Sequence, residues 1–309
     1  PQDGRITVNV SGRSIDVRVS TVPTINGESI VLRFLDSEKG PSDLTALGFN
    51  DHTLSTLRRL LKAPHGMILT TGPTGSGKTT TLYAALQELN LVERKIITLE
   101  DPIEYRVENI NQIQINPKVG LNFASLLRSV LRQDPDIIMV GEIRDEETAR
   151  LATQSALTGH LVLSSLHTNN AFGALNRLLD MGLEPFLINA AVRVIISQRL
   201  IRRLCPKCKK SGSITPAEQK QFGLKIGMSI SRPNGCISCY QTGYKGRLVL
   251  TELLELNDNI RDHINNSGKN SPMDYSLLPE QTLANAARAH IESGETSIEE
   301  FISIMGSLD

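Results

Sequence analysis

The sequence predicts an α/β fold in which a mainly parallel β-sheet carries helices on both faces. Three observations lead to this prediction. From residue 66 onward, short apolar runs alternate with stretches of helical length. Residues 6–35 instead show the two-residue alternation of half-buried strands. All four cysteines fall between residues 205 and 239, which indicates a separate insert. Apolar strands separated by helices are typical of parallel sheets that are covered on both sides.

The N-terminal segment, residues 1–41, is predicted to be rich in β-strands. The alternating apolar stretches cover residues 6–10, 15–19 and 30–35. Ser11-Gly12 predicts the turn of a hairpin between the first two stretches, and Asn26-Gly27 marks a turn before the third. Lys39-Gly40-Pro41-Ser42 has the composition of a linker, which separates this segment from the rest of the chain.

Residues 42–204 form the predicted α/β domain. Its first helix has Asp51 as the predicted N-cap and ends before Pro64, and Asp145 is expected to open a later helix. Strands are predicted at residues 67–69, 95–99, 137–140 and 161–165, and helices at 77–89, 123–132, 146–157 and 171–181. Residues 205–247 are expected to be a loop-rich cysteine element, and residues 248–309 a helical region.

Composition excludes several classes of protein. The 33 basic residues are matched by 33 acidic ones, whereas proteins that bind nucleic acid electrostatically carry a strongly basic face. The chain has no Trp, so base-stacking platforms are not indicated. No apolar run is long enough to span a bilayer, and we expect no direct membrane insertion. The chain begins without Met, and its first residues already have the pattern of a folded domain. It is therefore interpreted as the C-terminal part of a longer protein.

One motif indicates a specific chemistry. Gly72-Pro73-Thr74-Gly75-Ser76-Gly77-Lys78-Thr79 fits the pattern G-x-x-x-x-G-K-[ST], between a predicted strand and a predicted helix. Glycines let the backbone approach phosphates, and the amides of a helix N-terminus point at negative charge. We expect this loop and Thr80 to bind ATP, with Lys78 on the β- and γ-phosphates and the Thr79 hydroxyl on Mg²⁺. The alternative is an ordinary glycine-rich turn.

Hydrolysis of a nucleotide also needs a carboxylate near the metal and another that positions or activates water. Two acidic clusters follow predicted strands, Glu100-Asp101-Pro102-Ile103-Glu104 and Gly141-Glu142. Ligands of parallel sheets bind outside the carboxyl ends of the strands, so both clusters are expected beside the phosphates. Gly141 stands where a Walker B segment commonly has Asp, and Glu142 must therefore supply the carboxylate. The alternative is that Glu100 and Asp101 only cap a loop or pair with Arg106.

Two histidines and two arginines are further candidates. His160 and His167 lie at opposite ends of a predicted strand, and His167 is on the phosphate side. It could sense the γ-phosphate or hydrogen-bond a catalytic Glu, although a strand-end histidine commonly has only a structural role. Arg18 and Arg33 lie on the N-terminal strands. An arginine from the next subunit often stabilises the γ-phosphate in ring ATPases, but a solvated or paired surface arginine is the simpler interpretation.

The cysteines form two C-x-x-C pairs, Cys205 with Cys208 and Cys236 with Cys239. Two such turns can present four thiolates to a tetrahedral Zn²⁺ with no open position, which indicates a structural rather than a catalytic metal. Metal-bound thiolates also suggest a reducing compartment. The alternatives are free thiols, a disulfide pair, or an iron–sulfur cluster, which this spacing suits less well.

Taken with these residues, the sequence resembles the secretion-ATPase superfamily that powers type II secretion and type IV pilus assembly. The resemblance covers essentially the whole chain. Besides the phosphate loop, it is carried by Leu99-Glu100-Asp101-Pro102-Ile103-Glu104-Tyr105, by Leu131-Arg132-Gln133-Asp134-Pro135-Asp136 with Gly141-Glu142-Ile143-Arg144-Asp145, by Thr158-Gly159-His160 with Leu166-His167-Thr168-Asn169, and by the cysteine pairs followed by Gly243-Tyr244-x-Gly246-Arg247.

The resemblance implies a RecA-like P-loop ATPase core at residues 42–204 and a partial PAS-like domain at residues 1–41. It implies a cytoplasmic homo-hexamer at the inner-membrane face, docked on inner-membrane secretion platform proteins, mostly through a more N-terminal region that is missing here. It makes Glu104 and Glu142 the leading candidates for the catalytic carboxylates. It also makes His160 a stronger candidate for a catalytic role, beside His167. Arg18 and Arg33 match the contexts of two arginines that reach the nucleotide in this family, and we expect them to act from a neighbouring copy.

Within the family, Met181-Gly182-Leu183-Glu184-Pro185-Phe186 and the four cysteines resemble the type II secretion branch. The retraction branch lacks the four-cysteine insert. The expected function is a Mg²⁺-dependent, ATP-hydrolysing motor subunit that drives pseudopilus assembly and protein export across the outer membrane. The alternatives are a type IV pilus assembly ATPase and an adaptor that binds nucleotide without hydrolysing it. A DNA-translocating motor is disfavoured by the balanced charge.

Overall fold

The computed structural model describes residues 1–10, 13–35, 40, 43–224, 228–266 and 282–305. The strands are β1 (Gln2–Val10), β2 (Arg13–Thr24), β3 (Gly27–Leu35), β4 (Gly66–Thr71), β5 (Ile96–Glu100), β6 (Asn111–Gln114), β7 (Ile137–Val140), β8 (Leu161–Leu166), β9 (Val192–Leu204), β10 (Lys210–Ser213), β11 (Ser229–Arg232) and β12 (Tyr244–Glu255). The α-helices are α1 (Asp51–Leu61), α2 (Lys78–Leu89), α3 (Phe123–Val130), α4 (Glu146–Leu157), α5 (Ala171–Asp180), α6 (Pro185–Ala191), α7 (Pro216–Phe222), α8 (Asp258–Asn266), α9 (Leu283–Glu292) and α10 (Ile298–Met305).

The N-terminal strands form a three-stranded antiparallel sheet in the order β1-β2-β3. β2 and β3 pair out to Thr24 and Gly27, so two residues close this hairpin. The predicted turn at Ser11-Gly12 and most of the predicted linker lie outside the described residues. Half-burial was expected for this sheet, but Ile6 and Phe34 are 54% and 66% exposed, so the described chain leaves much of its apolar surface open.

A seven-stranded sheet in the order β12-β9-β4-β8-β7-β5-β6 forms the centre of the chain. Every neighbouring pair in it is parallel except β12 and β9, which are antiparallel. The predicted, mainly parallel sheet is therefore confirmed. Because β4, β8, β7 and β5 run side by side in one direction, their carboxyl ends meet at a single edge.

Helices cover both faces of this sheet. Along β4, Met67 and Leu69 belong to the apolar core that α3, α4, α5, α6 and α8 complete, whereas Ile68 belongs to the core shared with α1 and α2. This division follows from the strand geometry, since successive side chains point to opposite faces. The four residues of β7 are all buried, as expected for a strand covered on two sides.

Helix starts follow local capping chemistry. Asp145 caps α4 as predicted, because its carboxylate accepts a hydrogen bond from the Thr148 amide at 2.8 Å. For α1 the predicted cap was wrong by one residue. The Asn50 side chain accepts from the Thr53 amide at 2.7 Å, and Asp51 is the first residue of the helix. Asn and Asp are equally good caps, so the sequence did not distinguish them.

The second half of the chain differs most from expectation. No strand was predicted at β9, and β12 crosses the predicted boundary between residues 247 and 248 to become an edge of the central sheet. The remaining C-terminal elements are helical as expected. α9 and α10 pack with α7 against the distal parts of β9 and β12, where Phe222 and Phe301 meet edge to face with ring centroids 5.2 Å apart. In the described ranges, every helix is too short or too polar to cross a bilayer.

Candidate functional site

The phosphate-loop motif occupies the connection between β4 and α2. Its first glycine cannot be replaced without a rearrangement, because a Cβ on Gly72 would lie 2.5 Å from the Gln198 carbonyl oxygen and 2.5 Å from Ser76 Oγ. Gly77 has φ of +95°, a left-handed conformation that favours glycine. It directly precedes Lys78, the first residue of α2. The amides at this helix start therefore surround a space shaped for phosphate groups.

Lys78 is buried at the mouth of this loop, where its ammonium group donates to the carbonyl oxygens of Gly72 and Pro73 at 2.8 and 3.1 Å. Burial lowers the pKa of Lys78, and the nearby negative charge of Glu142 opposes that shift. Ser76 Oγ is buried and has no hydrogen-bond partner within the described ranges. The loop thus holds a cation and an unused hydroxyl, both of which suit a phosphate ligand.

The strand-end residues converge on one cavity of about 340 Å³ beside the loop. Its lining includes Arg33, Thr74, Gly75, Lys78, Thr79, Glu100, Asp101, Glu104, Phe123, Glu142, Arg144 and His167. The sequence placed the two acidic clusters and His167 at the same sheet edge, and the chain folds in this way. Thr79, Glu104 and Glu142 offer one hydroxyl and two carboxylates, which is the hard oxygen donor set that Mg²⁺ prefers.

Glu142 lies at the centre of the polar contacts in this cavity. One of its oxygens accepts a hydrogen bond from Arg144, and the other lies 3.4 Å from His167 Nε2. Burial, followed by the positive charge of Lys78, lowers the pKa of His167, whereas the negative charge of Glu142 opposes the shift. Arg144 also lies 4.0 Å from Asp101 and so links the two acidic clusters.

Arg144 was not singled out from the sequence, although it stands two residues after Glu142 in a motif that was. The signal was available, because a basic residue this close to a strand-end acid can turn back toward it. The sequence also did not predict that Gln198 would lie against the phosphate loop. That contact depends on β9, the strand that was not predicted.

The N-terminal sheet brings Arg33 to the cavity of its own chain, and Arg18 lies beside it on the neighbouring strand. Arg33 lines the cavity directly. Arg18 is the cross-strand partner of Arg33, and its Nε and Nη2 atoms are buried without a hydrogen-bond partner in the part of the chain that is described. Burial lowers the pKa of Arg18, while Glu104 opposes the shift. This placement of Arg33 differs from the expectation that it acts from a neighbouring copy, because the chain's own Arg33 lines its cavity. For Arg18 the expectation stays a prediction.

His160 is not brought to the cavity. It precedes β8 at the amino end of the strand, where its Nδ1 lies 2.9 Å from the Ser155 carbonyl oxygen. Its own carbonyl oxygen accepts from the Gly66 amide at 3.1 Å, at the start of β4. These contacts are structural, and the position of His160 gives no support to the catalytic role expected for it.

The four cysteines converge as predicted, between the end of β9 and the start of β12. Their sulfur atoms all lie within 4.8 Å of one another. Three of the Sγ–Sγ distances are 3.9, 3.8 and 3.7 Å. A tetrahedral site with Zn–S bonds of about 2.3 Å has edges of about 3.8 Å, so the thiol arrangement fits zinc.

Hydrogen bonds in this cluster favour the thiolate of Cys239. The amides of Cys236 and Gly243 donate to Cys239 Sγ at 3.2 and 3.3 Å. Burial alone would raise the pKa of Cys239, but these amides and the neighbouring thiols of Cys236 and Cys208 lower it to about 6. Thiolates are the species that bind a metal.

Comparison with known proteins agrees with this geometry. Residues 1–303 match the family described as "Type II/IV secretion system protein". The chain is 54% identical over 264 residues to the type II secretion system protein E of Dickeya dadantii, covering 85% of this chain and 53% of that protein. It is 47% identical over 307 residues to the type II secretion system ATPase E of Vibrio cholerae, covering 98% of this chain and 61% of that protein. The chain therefore spans about half to three fifths of the length of these relatives.

Among solved structures, the pilus retraction motor PilT with bound ADP aligns with a TM-score of 0.70 and 29% sequence identity. The alignment covers 99% of this chain and 78% of that one. The ATPase DotB of Legionella pneumophila aligns with a TM-score of 0.68 at 22% identity, which bears on the fold alone.

Proposed function

The chain belongs to the type II/IV secretion system protein family, and from this premise we propose that it is an ATP-hydrolysing motor subunit of a type II secretion system. In this role it drives pseudopilus assembly and protein export across the outer membrane. The names of the relatives that are 46–54% identical to it support this branch over a pilus assembly ATPase.

The observation that carries the proposal is the single cavity in which the phosphate loop, Glu104, Glu142, His167 and Arg33 face one another. Lys78 and the loop amides bind the phosphates of ATP, as the ADP bound to PilT suggests. Glu142 holds a metal ion, directly or through water. Glu104 orients or activates the attacking water.

Charge stabilisation completes the proposed site. Thr79 and Glu142 are the proposed ligands of Mg²⁺, which, when bound, would supply positive charge to offset the charge of the phosphates. Arg33 and Arg18 add positive charge from the N-terminal sheet. His167, whose Nε2 lies 3.4 Å from a Glu142 oxygen, helps to keep the Glu142 carboxylate in place.

We further propose that the chain works as a homo-hexamer at the cytoplasmic face of the inner membrane, with inner-membrane secretion platform proteins as partners. Its membership in a secretion family supports this. Zinc bound by Cys205, Cys208, Cys236 and Cys239 has a structural role, because four thiolates leave no open coordination position.

The test of the proposal is phosphate release from ATP, measured for the wild-type chain and for Lys78→Ala, with Mg²⁺ and then with EDTA in excess. We expect release by the wild type in Mg²⁺ only, and at least about 100-fold less by the variant, since the Lys78 charge acts directly on the transferred phosphoryl group. ATP binding without release by the wild type would instead favour the non-hydrolysing adaptor.

A further inference from the structure

A buried hydrogen-bonded cluster joins the phosphate-loop helix to the loop that carries Glu104. Tyr83, on α2, is fully buried, and its hydroxyl donates to the carboxylate of Glu100 at the end of β5. The side chains of Thr98 and Gln112 donate to the same carboxylate at 2.6 and 3.1 Å. We refer to Tyr83, Glu100 and Gln112 together as the brace.

The brace also holds backbone. Residues 101–110 form neither helix nor strand, so their peptide groups need partners from elsewhere. Gln112 provides two of them, donating to the Tyr105 carbonyl oxygen at 2.9 Å and accepting from the Val107 amide at 2.9 Å. The Tyr83 hydroxyl accepts from the Tyr105 amide at 3.4 Å. Both contacts to Tyr105 fall on the residue that follows Glu104.

The chemistry of the brace is unusual for a core. Burial raises the pKa of Glu100, and hydrogen bonds from Thr98, Tyr83 and Gln112 oppose the shift. A buried carboxylate is costly unless every partner is present, and apolar side chains would fill the same space more cheaply. Such a network fixes a unique arrangement of the groups that it joins.

The position of the brace indicates what it fixes. Thr79, the proposed Mg²⁺ ligand, lies one helical turn before Tyr83 on the same face of α2. The other end of the brace reaches the backbone beside Glu104. Tyr83 and Gln112 themselves lie outside the lining of the cavity.

We propose that the brace is a positioning device, which sets Glu104 in register with the phosphate loop. Tyr83 and Gln112 therefore act on hydrolysis through Glu104 and not through contact with nucleotide. A displacement of a reacting group by about 1 Å can cost about 100-fold in rate, so small losses of register have large effects. The inference rests on the proposed ATPase function.

Three variants test it by turnover. Tyr83→Phe and Gln112→Ala are each expected to lower kcat about 10- to 100-fold, with the KM for ATP changed less than about threefold. The double variant is expected to be no slower than the slower single variant, because both substitutions release the same loop. Gln114→Ala on the same strand, where the side chain is exposed, is the control and should match the wild type.

Hydrogen exchange gives a readout that needs no turnover, so it separates a failure of this inference from a failure of the proposed function. Gln112→Ala is expected to speed exchange of the Tyr105 and Val107 amides at least about tenfold, and to leave the amides of α2 unchanged. Exchange like that of Gln114→Ala would overturn the proposal, as would a fall in ATP affinity as large as the fall in kcat. Inactive wild-type protein with faster loop exchange in Gln112→Ala would support the brace and count only against the ATPase function.

Discussion

Replacing Glu142 by Gln is expected to lower ATP turnover at least about 100-fold and to leave ATP binding nearly unchanged. The amide has the size of the carboxylate, so the loop and α2 keep their shape. It lacks the negative charge that a ligand of a metal ion or a water-activating carboxylate needs. It also removes the ion pair with Arg144.

Turnover is measured as phosphate release, and binding as the quench of a fluorescent ATP analogue in Mg²⁺. Glu147→Gln is the matched control. Glu147 lies on α4, outside the cavity, and its exposed carboxylate pairs with Arg128 of α3. This control should behave as the wild type. Unchanged turnover in Glu142→Gln would remove Glu142 from the catalytic role, and an equal loss of binding would assign it to nucleotide affinity instead.

Removing the zinc is expected to have the largest effect on stability, and to act locally. Structural zinc contributes on the order of 10 kcal/mol in small zinc-binding peptides, so a loop-rich element held by four thiolates should not stay ordered without it. Cys236→Ser, or chelation, is expected to raise the rate of proteolysis at residues 205–243 at least about tenfold. Because Cys205 follows β9 and Tyr244 opens β12, the loosened element lies at one edge of the central sheet, away from the β5 and β7 ends.

Ser238→Ala is the control for this experiment, since Ser238 lies between Cys236 and Cys239 and its hydroxyl contacts only Lys245, at 3.4 Å, among the described hydrogen bonds. It should keep about one zinc per chain and the wild-type rate of cleavage. A Cys236→Ser protein with unchanged cleavage at residues 205–243 would contradict the structural role of the metal.

Local patterns were sufficient for the elements that lie within one stretch of chain. The strand at 137–140 and the helix at 146–157 have the predicted bounds. In β7 the run of apolar residues is continuous because both faces are covered, and in α4 the cap Asp145 marks the start. The strand-end position of Glu142 and His167 followed from the same alternation, because parallel strands bring their carboxyl ends together.

Long-range pairing was not readable in this way. β9 and β12 pair antiparallel across about forty intervening residues. Polar residues on these strands, such as Arg199 and Glu252, are buried by tertiary contacts, so the strands lack the alternation of apolar and polar residues that would have predicted them. The packing around the phosphate loop could not be predicted for the same reason, because the Gln198 carbonyl oxygen that lies against Gly72 belongs to β9.

Orientation between segments was equally hidden. The alternation in β2 and β3 placed Arg18 and Arg33 on strands, but nothing in it could tell which copy's nucleotide they face. His160 shows the opposite case. Its place at the amino end of a strand was evident from the spacing, and the family resemblance gave it a weight that its contacts do not support.

The central claim is that one chain supplies the phosphate loop, the carboxylates and Arg33 to a single cavity. Its most direct test is ATP turnover by an equimolar mixture of Lys78→Ala and Arg33→Ala chains, at concentrations where wild-type turnover per subunit is constant. Each variant alone should be nearly inactive. If Arg33 serves its own chain, every site in the mixture lacks one group, and the mixture should stay as inactive as the separate variants. If turnover recovers toward a sizeable fraction of the wild-type value, Arg33 of a Lys78→Ala chain must act at the phosphate loop of a neighbouring Arg33→Ala chain. That result would contradict the claim.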